Sequence, residues 1–217
     1  MNGTFTRFLR LIPLIFAILI ILAWSVFSDD YESGDVHWLI LAAEQGDVKA
    51  QYNLGLRYST GNGIALSDTK AVKWIQKAAD QGDAEAQYEL GVSYLDGRGV
   101  AQNDAEAKKW IQKAAERGHA EAQYNLGGMY ASGIGVARSD TEAAKWYRKA
   151  AERGNAQAQY NLGTMYFTGR GVWQSDTEAM RWLQKAADQG NADAKNKLKI
   201  IYKQDVDSPN TRSGKGM

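Results

Sequence analysis

The sequence predicts an all-α fold, a solenoid of helix-turn-helix repeats that follows an N-terminal transmembrane or signal helix. The first observation is the motif Ala-Gln-Tyr-Asn-Leu-Gly at residues 122–127, which returns at intervals of 36 residues in both directions. A fixed period in this range indicates a repeat architecture. The second is that the chain contains only two prolines, a residue that disrupts helix interiors. The third is an apolar run over residues 11–27.

Composition argues against several classes of function. The formal net charge is +1, so no overall attraction to nucleic acid is expected. The absence of cysteine removes disulfides, thiolate metal sites and a cysteine nucleophile. His37 and His119, the only histidines, stand far apart, and no HExxH or GxSxG motif interrupts the repeats. We therefore expect no catalytic site, no metal site and no cofactor.

The first 30 residues have the layout of an export segment. Basic residues precede the apolar run of residues 11–27, which is at the lower length limit for a membrane span. A signal peptide has the same layout, with candidate cleavage points after Ser25 and Ser28. Trp24 is typical of an interfacial anchor and fits a cleavage site poorly, so we favour an uncleaved anchor. In both cases the basic end stays in the cytoplasm and the rest is exported.

Residues 31–203 form the predicted solenoid. A half repeat over residues 35–46 precedes four full repeats, and a single capping helix over residues 191–203 ends the array. Each full repeat is expected to contain two antiparallel helices, A and B. The polar residues 204–217 are expected to be disordered. The full repeats cover residues 47–82, 83–118, 119–154 and 155–190.

Residue types at fixed positions predict where the helices begin and end. Asp47 is a natural N-cap for helix A of the first repeat, predicted over residues 48–60, and Gly61 is a natural C-cap. Helix B of this repeat begins near Asp68. In the later repeats a serine or asparagine lies three residues before a glutamate, which is the spacing of a capping box. These pairs are Ser139 with Glu142, Ser175 with Glu178, and Asn103 with Glu106.

A glycine recurs in the middle of every A helix. Glycine in a helix interior costs about 0.8–1 kcal/mol relative to alanine. Its recurrence at one position therefore predicts that a neighbouring helix approaches closely there. The glycines are Gly55, Gly91, Gly127 and Gly163.

The repeat resembles the Sel-1-like repeat, a relative of the tetratricopeptide repeat. The likeness covers residues 35–203 and rests on the pattern A-x-A-Q-Y-N-L-G-x-x-Y-x-x-G-x-G-[IV], followed by D-x-x-x-A-x-x-W and K-A-A-x-x-G. It implies a right-handed superhelix whose concave side, lined mainly by A helices, binds peptides or proteins. It also implies adaptor roles in membrane-bound quality control, bacterial secretion or host interaction. Some bacterial members are described as β-lactamases, but that branch carries a disulfide in each repeat and this chain has no cysteine.

Three surface features are candidate contacts. The first is a ladder of tyrosines on the A helices, which by analogy with tetratricopeptide units faces the groove. Asparagines beside the tyrosines could form hydrogen bonds with a peptide backbone. The alternative is that the tyrosines pack between helices. A basic stripe on the B helices is expected to be solvated and offset by acids three residues further on, with an anionic lipid or polymer contact as the alternative. Trp173 replaces the alanine of the other interhelical turns. The ladder is Tyr52, Tyr88, Tyr124 and Tyr160 with Asn53, Asn125 and Asn161; the stripe is Lys73, Lys109, Lys145 and Arg181, followed by Lys77, Lys113, Lys149 and Lys185.

Together these features predict an exported scaffold, tethered to the lipid bilayer through residues 11–27, that binds protein or peptide partners and no nucleic acid. One alternative is a secreted or periplasmic hydrolase or cell-wall-modifying protein of the β-lactamase-like branch. The other is a soluble secreted factor, released when the N-terminal segment is cleaved.

Overall fold

The structure is a computed structural model that describes residues 35–207, and the side chains of residues 35–203. The predicted export segment lies outside the described residues, and so do residues 208–217 of the predicted tail. No helix of residues 35–207 combines the length and the apolar character that a membrane crossing needs. The anchor over residues 11–27 therefore stays a prediction.

The described residues form ten helices joined by turns, and they contain no strand. This confirms the predicted all-α solenoid of helix pairs. The helices are α1 (35–44), α2 (Val48–Thr60), α3 (Asp68–Asp80), α4 (Ala84–Asp96), α5 (Asp104–Glu116), α6 (Ala120–Ser132), α7 (Asp140–Glu152), α8 (Ala156–Thr168), α9 (Asp176–Asp188) and α10 (Ala192–Asp207).

The chain divides into two compact units between Ala78 and Ala79. In the first unit, Leu54 of α2 is fully buried in a cluster with Ala43 and Ala50. In the second unit, helices α4 to α10 each pack against the next helix along the chain. Because neighbours in space are also neighbours in sequence, this second unit has the nearest-neighbour packing of a repeat protein.

The A helices begin and end where their capping residues predict. The Oδ1 atom of Asp47 accepts a hydrogen bond from the Ala50 N–H at 2.7 Å, which caps the start of α2. At the other end, Gly61 adopts a left-handed conformation with φ of 72°. Its N–H donates to the Arg57 carbonyl at 2.8 Å. Both predicted caps of this helix are confirmed.

The B helices have only half of the predicted capping box. The Ser139 Oγ accepts from the Glu142 N–H at 3.3 Å, as predicted. The Ser139 N–H, however, donates to the backbone carbonyl of Tyr130 at 2.9 Å, and the Glu142 carboxylate pairs with Lys145. The reciprocal bond was therefore a wrong expectation, because the turn brings a carbonyl of the preceding A helix to the N–H that the glutamate would have satisfied.

The mid-helix glycines lie where the two helices of a repeat touch. A Cβ placed on Gly127 of α6 would be 2.7 Å from Cδ1 of Tyr147 in α7. A Cβ on Gly55 would be 2.5 Å from Cγ1 of Ile75. Such separations are well inside van der Waals contact between carbon atoms. The predicted close approach is confirmed.

Candidate partner-binding surface

The tyrosine ladder packs against the core and also reaches the surface. All four members are half-buried. In the second unit, Tyr88 packs at the edge of a cluster that contains Leu126. Tyr124 packs at the edge of one that contains Leu162. Both clusters include residues of the repeat that follows the tyrosine, so these two rings take part in packing between repeats, while part of each side chain stays exposed. That the ladder faces a groove stays a prediction. The four rings lie on α2, α4, α6 and α8 as Tyr52, Tyr88, Tyr124 and Tyr160.

Tyr88 has the most contacts described for a ladder residue. Its ring stacks on the His119 imidazole, with ring centres 4.6 Å apart and planes inclined by 24°. Its hydroxyl oxygen accepts from Nδ2 of Asn125 at 3.1 Å. Burial and, secondly, the nearby Glu121 charge raise the pKa of the Tyr88 phenol, against a lowering by the Asn125 hydrogen bond. The phenol is therefore neutral and held in place at physiological pH.

The three predicted asparagines occupy different environments. Asn53 is exposed on α2, while Asn125 and Asn161 are half-buried. Asn161 hydrogen-bonds the hydroxyl of Tyr147, whose pKa is raised mainly by burial. The Tyr147 ring lies 5.8 Å from the Tyr124 ring, centre to centre. In the second unit the asparagines therefore hold tyrosine hydroxyls, and each Asn side chain keeps a carbonyl oxygen as a hydrogen-bond acceptor.

Trp173 projects from the turn between α8 and α9. Its side chain is 95% exposed. The preceding residue, Val172, packs against the core cluster around Leu162 and so fixes the base of the turn. A tryptophan with almost all of its surface in water contributes little to the core, and tryptophan is among the residues that dominate binding surfaces.

A row of bonds between successive A helices was not foreseen from the sequence. The His119 Nδ1 accepts from the Ala122 N–H at 3.1 Å, so this histidine caps α6. Its Nε2 lies 3.0 Å from Oε2 of Glu85 on α4. Asn155 likewise caps α8 and donates to Oε1 of Glu121 at 2.8 Å. The sequence does contain a signal for these bonds, because a glutamate stands 34 positions before each cap: Glu85 before His119 and Glu121 before Asn155.

A second unforeseen row consists of buried glutamines. Gln123, on α6, donates from Nε2 to the carbonyl of Ala115 at 3.0 Å, eight residues earlier. The carbonyl lies in the last turn of α5, where helix carbonyls lack helical partners, and it also accepts from the Gly118 N–H at 3.0 Å. Gln51, Gln87 and Gln159 make the same contact with Ala43, Ala79 and Ala151. The recurrence of glutamine before each ladder tyrosine was the signal for this role.

The basic stripe makes contacts that differ from the ones predicted. Lys109 pairs with Glu106 and Lys145 with Glu142, at 3.1 and 3.3 Å, so the partner precedes the lysine by three residues. Glu116, an acid expected to offset the stripe, instead accepts from Nε2 of Gln112 at 2.7 Å. The second lysine of each repeat lies over the tryptophan three residues earlier, at 3.8 to 4.5 Å from a ring centre; the pairs are Lys77 with Trp74, Lys113 with Trp110, Lys149 with Trp146 and Lys185 with Trp182.

The chemistry available on the ladder face is that of recognition. Half-buried phenol rings present apolar area, and the neighbouring amides present hydrogen-bond acceptors. His37 is exposed on α1, and His119 is used as a cap. Within residues 35–207, no three histidine, cysteine, aspartate or glutamate side chains are grouped in a way that could hold a metal ion.

Comparison with known proteins identifies the repeat. The Sel1 repeat model matches five stretches of the chain, residues 36–47, 48–83, 84–119, 120–155 and 156–191. The chain is a Sel1-repeat protein. The family resemblance seen in the sequence is therefore confirmed. Proteins with Sel1 repeats generally mediate protein–protein interaction, and they are typically non-catalytic scaffolds.

Two solved structures are similar to this Sel1-repeat protein. A protective antigen present in uropathogenic Escherichia coli strains, c5321, which displays an SLR (Sel1-like repeat) fold, is 43% identical with a TM-score of 0.76 over 78% of this chain. A Sel1 repeat protein from Oxalobacter formigenes is 40% identical with a TM-score of 0.72 over 76% of this chain. The match spans 36% of the first protein and 48% of the second. No curated protein matches this sequence.

Proposed function

We propose that this Sel1-repeat protein is a non-catalytic scaffold, held outside the cytoplasm, that binds a protein or peptide partner on its ladder face. The ladder face consists of Tyr88, Tyr124 and Tyr160, on α4, α6 and α8, with Asn125 and Asn161 beside the last two. One observation carries the proposal: the three tyrosines recur in register, and each is half-buried at the edge of a core cluster that includes residues of the following repeat or, for Tyr160, of the last helix α10.

The fixed tyrosines are well suited to binding. A ring that packs on the core, as Tyr124 does, has little conformational freedom left to lose when a partner covers its exposed part. Asn125 uses its Nδ2 on Tyr88, which leaves its Oδ1 to accept a hydrogen bond from the backbone N–H of an extended peptide. An aromatic surface with regularly spaced acceptors favours an extended segment that follows the successive A helices.

Trp173 extends the proposed surface beyond the regular ladder. It follows α8, the last helix that carries a ladder tyrosine, and its indole is 95% exposed. An exposed indole supplies a large contact area and one N–H donor. In the proposal it is a separate anchor for the same partner or for a second one.

Photo-crosslinking in cells tests the binding role. A photoreactive amino acid replaces Tyr124 in one variant, Trp173 in a second and Lys145 in a third. Lys145 is an exposed member of the basic stripe and is the control for random encounters. We expect the Tyr124 probe to give a discrete adduct, whose partner is identified by mass, and the Lys145 probe to give none.

Folding has to be verified for the Tyr124 variant, because this ring also packs on the core. A circular dichroism melt that matches the parent shows that the solenoid is intact. Adducts from Lys145 alone, or from none of the three probes in folded protein, would contradict binding on the ladder face.

The exported location rests on the N-terminal segment. Residues 11–27 are apolar and follow basic residues, a layout that directs a segment into the membrane with its basic end inside. The mass of the mature N-terminus tests the tether. An intact N-terminus in the membrane fraction supports the anchor, whereas cleavage near residues 25–28 supports a soluble secreted factor.

A further inference from the structure

Two equivalent pockets lie between the ends of successive B helices in the second unit. The first is lined by Gln87, Lys113 and Arg117, with Asp80 and Glu116 beside them. The second repeats this arrangement 36 residues later, with Gln123, Lys149 and Arg153, and with Glu116 and Glu152 as the acids. The glutamines lie on A helices, one residue before Tyr88 and Tyr124, but no ladder residue lines either pocket, so the pockets are distinct from the ladder face.

Each pocket contains a buried hydrogen-bond acceptor without a donor. Gln87 and Gln123 are both only 4% exposed. Each donates a hydrogen bond from Nε2 to a backbone carbonyl, so Oε1 is the side-chain atom that is left to accept one. Neither Oε1 has a hydrogen-bond partner among the described residues. Because buried polar groups are almost always paired in folded proteins, these two oxygens indicate that a donor from outside the described chain enters the pockets.

The next repeat shows how the same acceptor is satisfied within the chain. There, Oε1 of Gln159 accepts from Nε2 of Gln189 at 2.8 Å. Gln189 follows α9 directly as its C-cap. At the equivalent positions after α5 and α7, the chain has Arg117 and Arg153. The two repeats with an open acceptor are therefore the two in which arginine replaces this glutamine.

Neither arginine makes a hydrogen bond to the acceptor, and neither has an acidic partner among the described residues. A Cβ placed on Gly82 would be 2.7 Å from Nη2 of Arg117, so this guanidinium lies on the backbone of the preceding turn. Arg153 lies on Gly118 in the same way, also at 2.7 Å. Among the described residues, no carboxylate is within ion-pair distance of either guanidinium.

Two other features of the pockets bear on their charge. Lys113 is held over the Trp110 ring at 3.8 Å, and Glu116 is held by the amide of Gln112. An arginine at a helix C-terminus also complements the helix dipole. The dipole alone does not require this residue type, however, because α9 ends in Gln189 at the same position. Each pocket thus offers one unpaired guanidinium beside one unpaired carbonyl.

We propose that each of the two pockets binds a carboxylate-bearing residue of an extended acidic peptide. The guanidinium of Arg117 or Arg153 turns outward to pair with the carboxylate, for which its planar fork of donors is suited. A backbone N–H of the same peptide donates to Oε1 of Gln87 or Gln123. Two such pockets in tandem let one peptide with spaced acidic residues bind at both, which raises its apparent affinity. The proposal goes beyond ladder-face binding and is independent of it.

Fluorescence anisotropy with a labelled oligoglutamate peptide tests the proposal on the full chain in detergent. We expect saturable binding that weakens as the salt concentration rises, because it depends on charge pairs. The double variant Arg117→Gln, Arg153→Gln is expected to bind the peptide at least about tenfold more weakly. A tenfold loss of affinity corresponds to about 1.4 kcal/mol of binding free energy. Its thermal stability should equal or exceed that of the parent, since the new glutamines can close the pockets as Gln189 does.

A matched control separates the pockets from general attraction to positive charge. The variant Lys109→Gln, Lys145→Gln removes the same charge from the exposed stripe, and we expect its affinity to stay within about twofold of the parent. The converse variant Gln189→Arg is expected to tighten binding by opening a third pocket. Absence of binding by the parent, which would mean that water alone fills the pockets, overturns the proposal. Equal weakening in the two double variants overturns it as well. Crosslinking from Tyr124 is unaffected by either result.

Discussion

Asn125 on α6 donates a hydrogen bond of 3.1 Å to the hydroxyl of Tyr88 on α4, and so joins equivalent faces of two successive repeats. The same two residues belong to the ladder face that we propose as the binding surface. Recognition and stacking therefore use one set of side chains, and a change at this face alters the stability of the array as well as its surface.

The Tyr88–Asn125 pair should show energetic coupling. Tyr88→Phe and Asn125→Ala are each expected to lower the free energy of unfolding by about 1 kcal/mol, the usual net value of an intramolecular hydrogen bond. The double variant should lose less than the sum of the two, because each single change already breaks the bond. Urea denaturation of the four proteins measures the coupling. Strict additivity would show that the bond contributes nothing in solution.

Gly127→Leu should destabilise the protein by about 2 kcal/mol or more. Even a Cβ at this position would be 2.7 Å from the buried Tyr147 ring, and overpacking of this kind typically costs about 1–3 kcal/mol. The midpoint of thermal or urea unfolding measures the effect.

The neighbouring glycine is a matched control for this variant. A Cβ on Gly128 would have only the Tyr147 hydroxyl within 4 Å, at 3.7 Å, and α2 carries Leu56 at the equivalent position. Gly128→Leu should leave stability unchanged or raise it by up to about 0.8 kcal/mol through helix propensity. Equal destabilisation by both variants would contradict a specific close approach at Gly127.

His119 should be replaceable by asparagine but not by alanine. Asn155 in the next repeat both caps its helix and bonds Glu121, so His119→Asn can keep the cap and the bond to Glu85. We expect its unfolding free energy to stay within about 0.5 kcal/mol of the parent, whereas His119→Ala loses about 1 kcal/mol or more with the cap. Chemical denaturation at pH 7 compares the two, and an equal loss in both would argue against the shared role.

The Asp140 carboxylate should stabilise the fold at neutral pH and cease to do so in acid. Its Oδ1 accepts from Nη2 of Arg170 at 2.9 Å, and this bond holds the pKa of Asp140 below its ordinary value of 3.8. A carboxyl whose pKa is lower when folded contributes stability above 3.8, and the contribution disappears as the pH falls through the folded-state pKa. Asp140→Asn should therefore lose about 1 kcal/mol at pH 7, and the difference from the parent should vanish in strong acid.

Asp104 provides the control for this pH dependence. It occupies the same position at the start of α5, but Ile134 stands where Arg170 would be its partner. Asp104→Asn removes the same charge from a helix N-terminus without breaking an arginine pair. Its loss at pH 7 should be the smaller of the two, and an equal loss would show that the helix dipole, not Arg170, accounts for the effect.

The helices and their caps could be predicted from the sequence because they depend on residues close together in the chain. Asp47, Gly61 and the span between them act within one helix, and they occur in α2 as predicted. Contacts between repeats were harder to foresee, because they depend on which side chain fills a shared space. Tyr147 stands where the first two repeats have isoleucine. Its hydroxyl bonds Asn161, so this asparagine, which was expected to face a groove, is used in packing.

The half-formed capping boxes show the same limit. The Ser139 and Glu142 pattern depends on local spacing, and the bond that stays within this spacing is present. The other bond was lost to a carbonyl of Tyr130, nine residues earlier and in a different helix. A motif based on spacing cannot include a competitor that only the tertiary arrangement supplies.

The buried glutamines have a consequence for how the protein folds. Each links the end of one helix to the start of the next across only eight residues, as Gln123 does with the Ala115 carbonyl. Contacts of such short sequence separation need little loop closure, and proteins dominated by them fold fast. In the second unit, folding can begin at any helix pair and spread to its neighbours, and under a pulling force the terminal repeats should detach one after another.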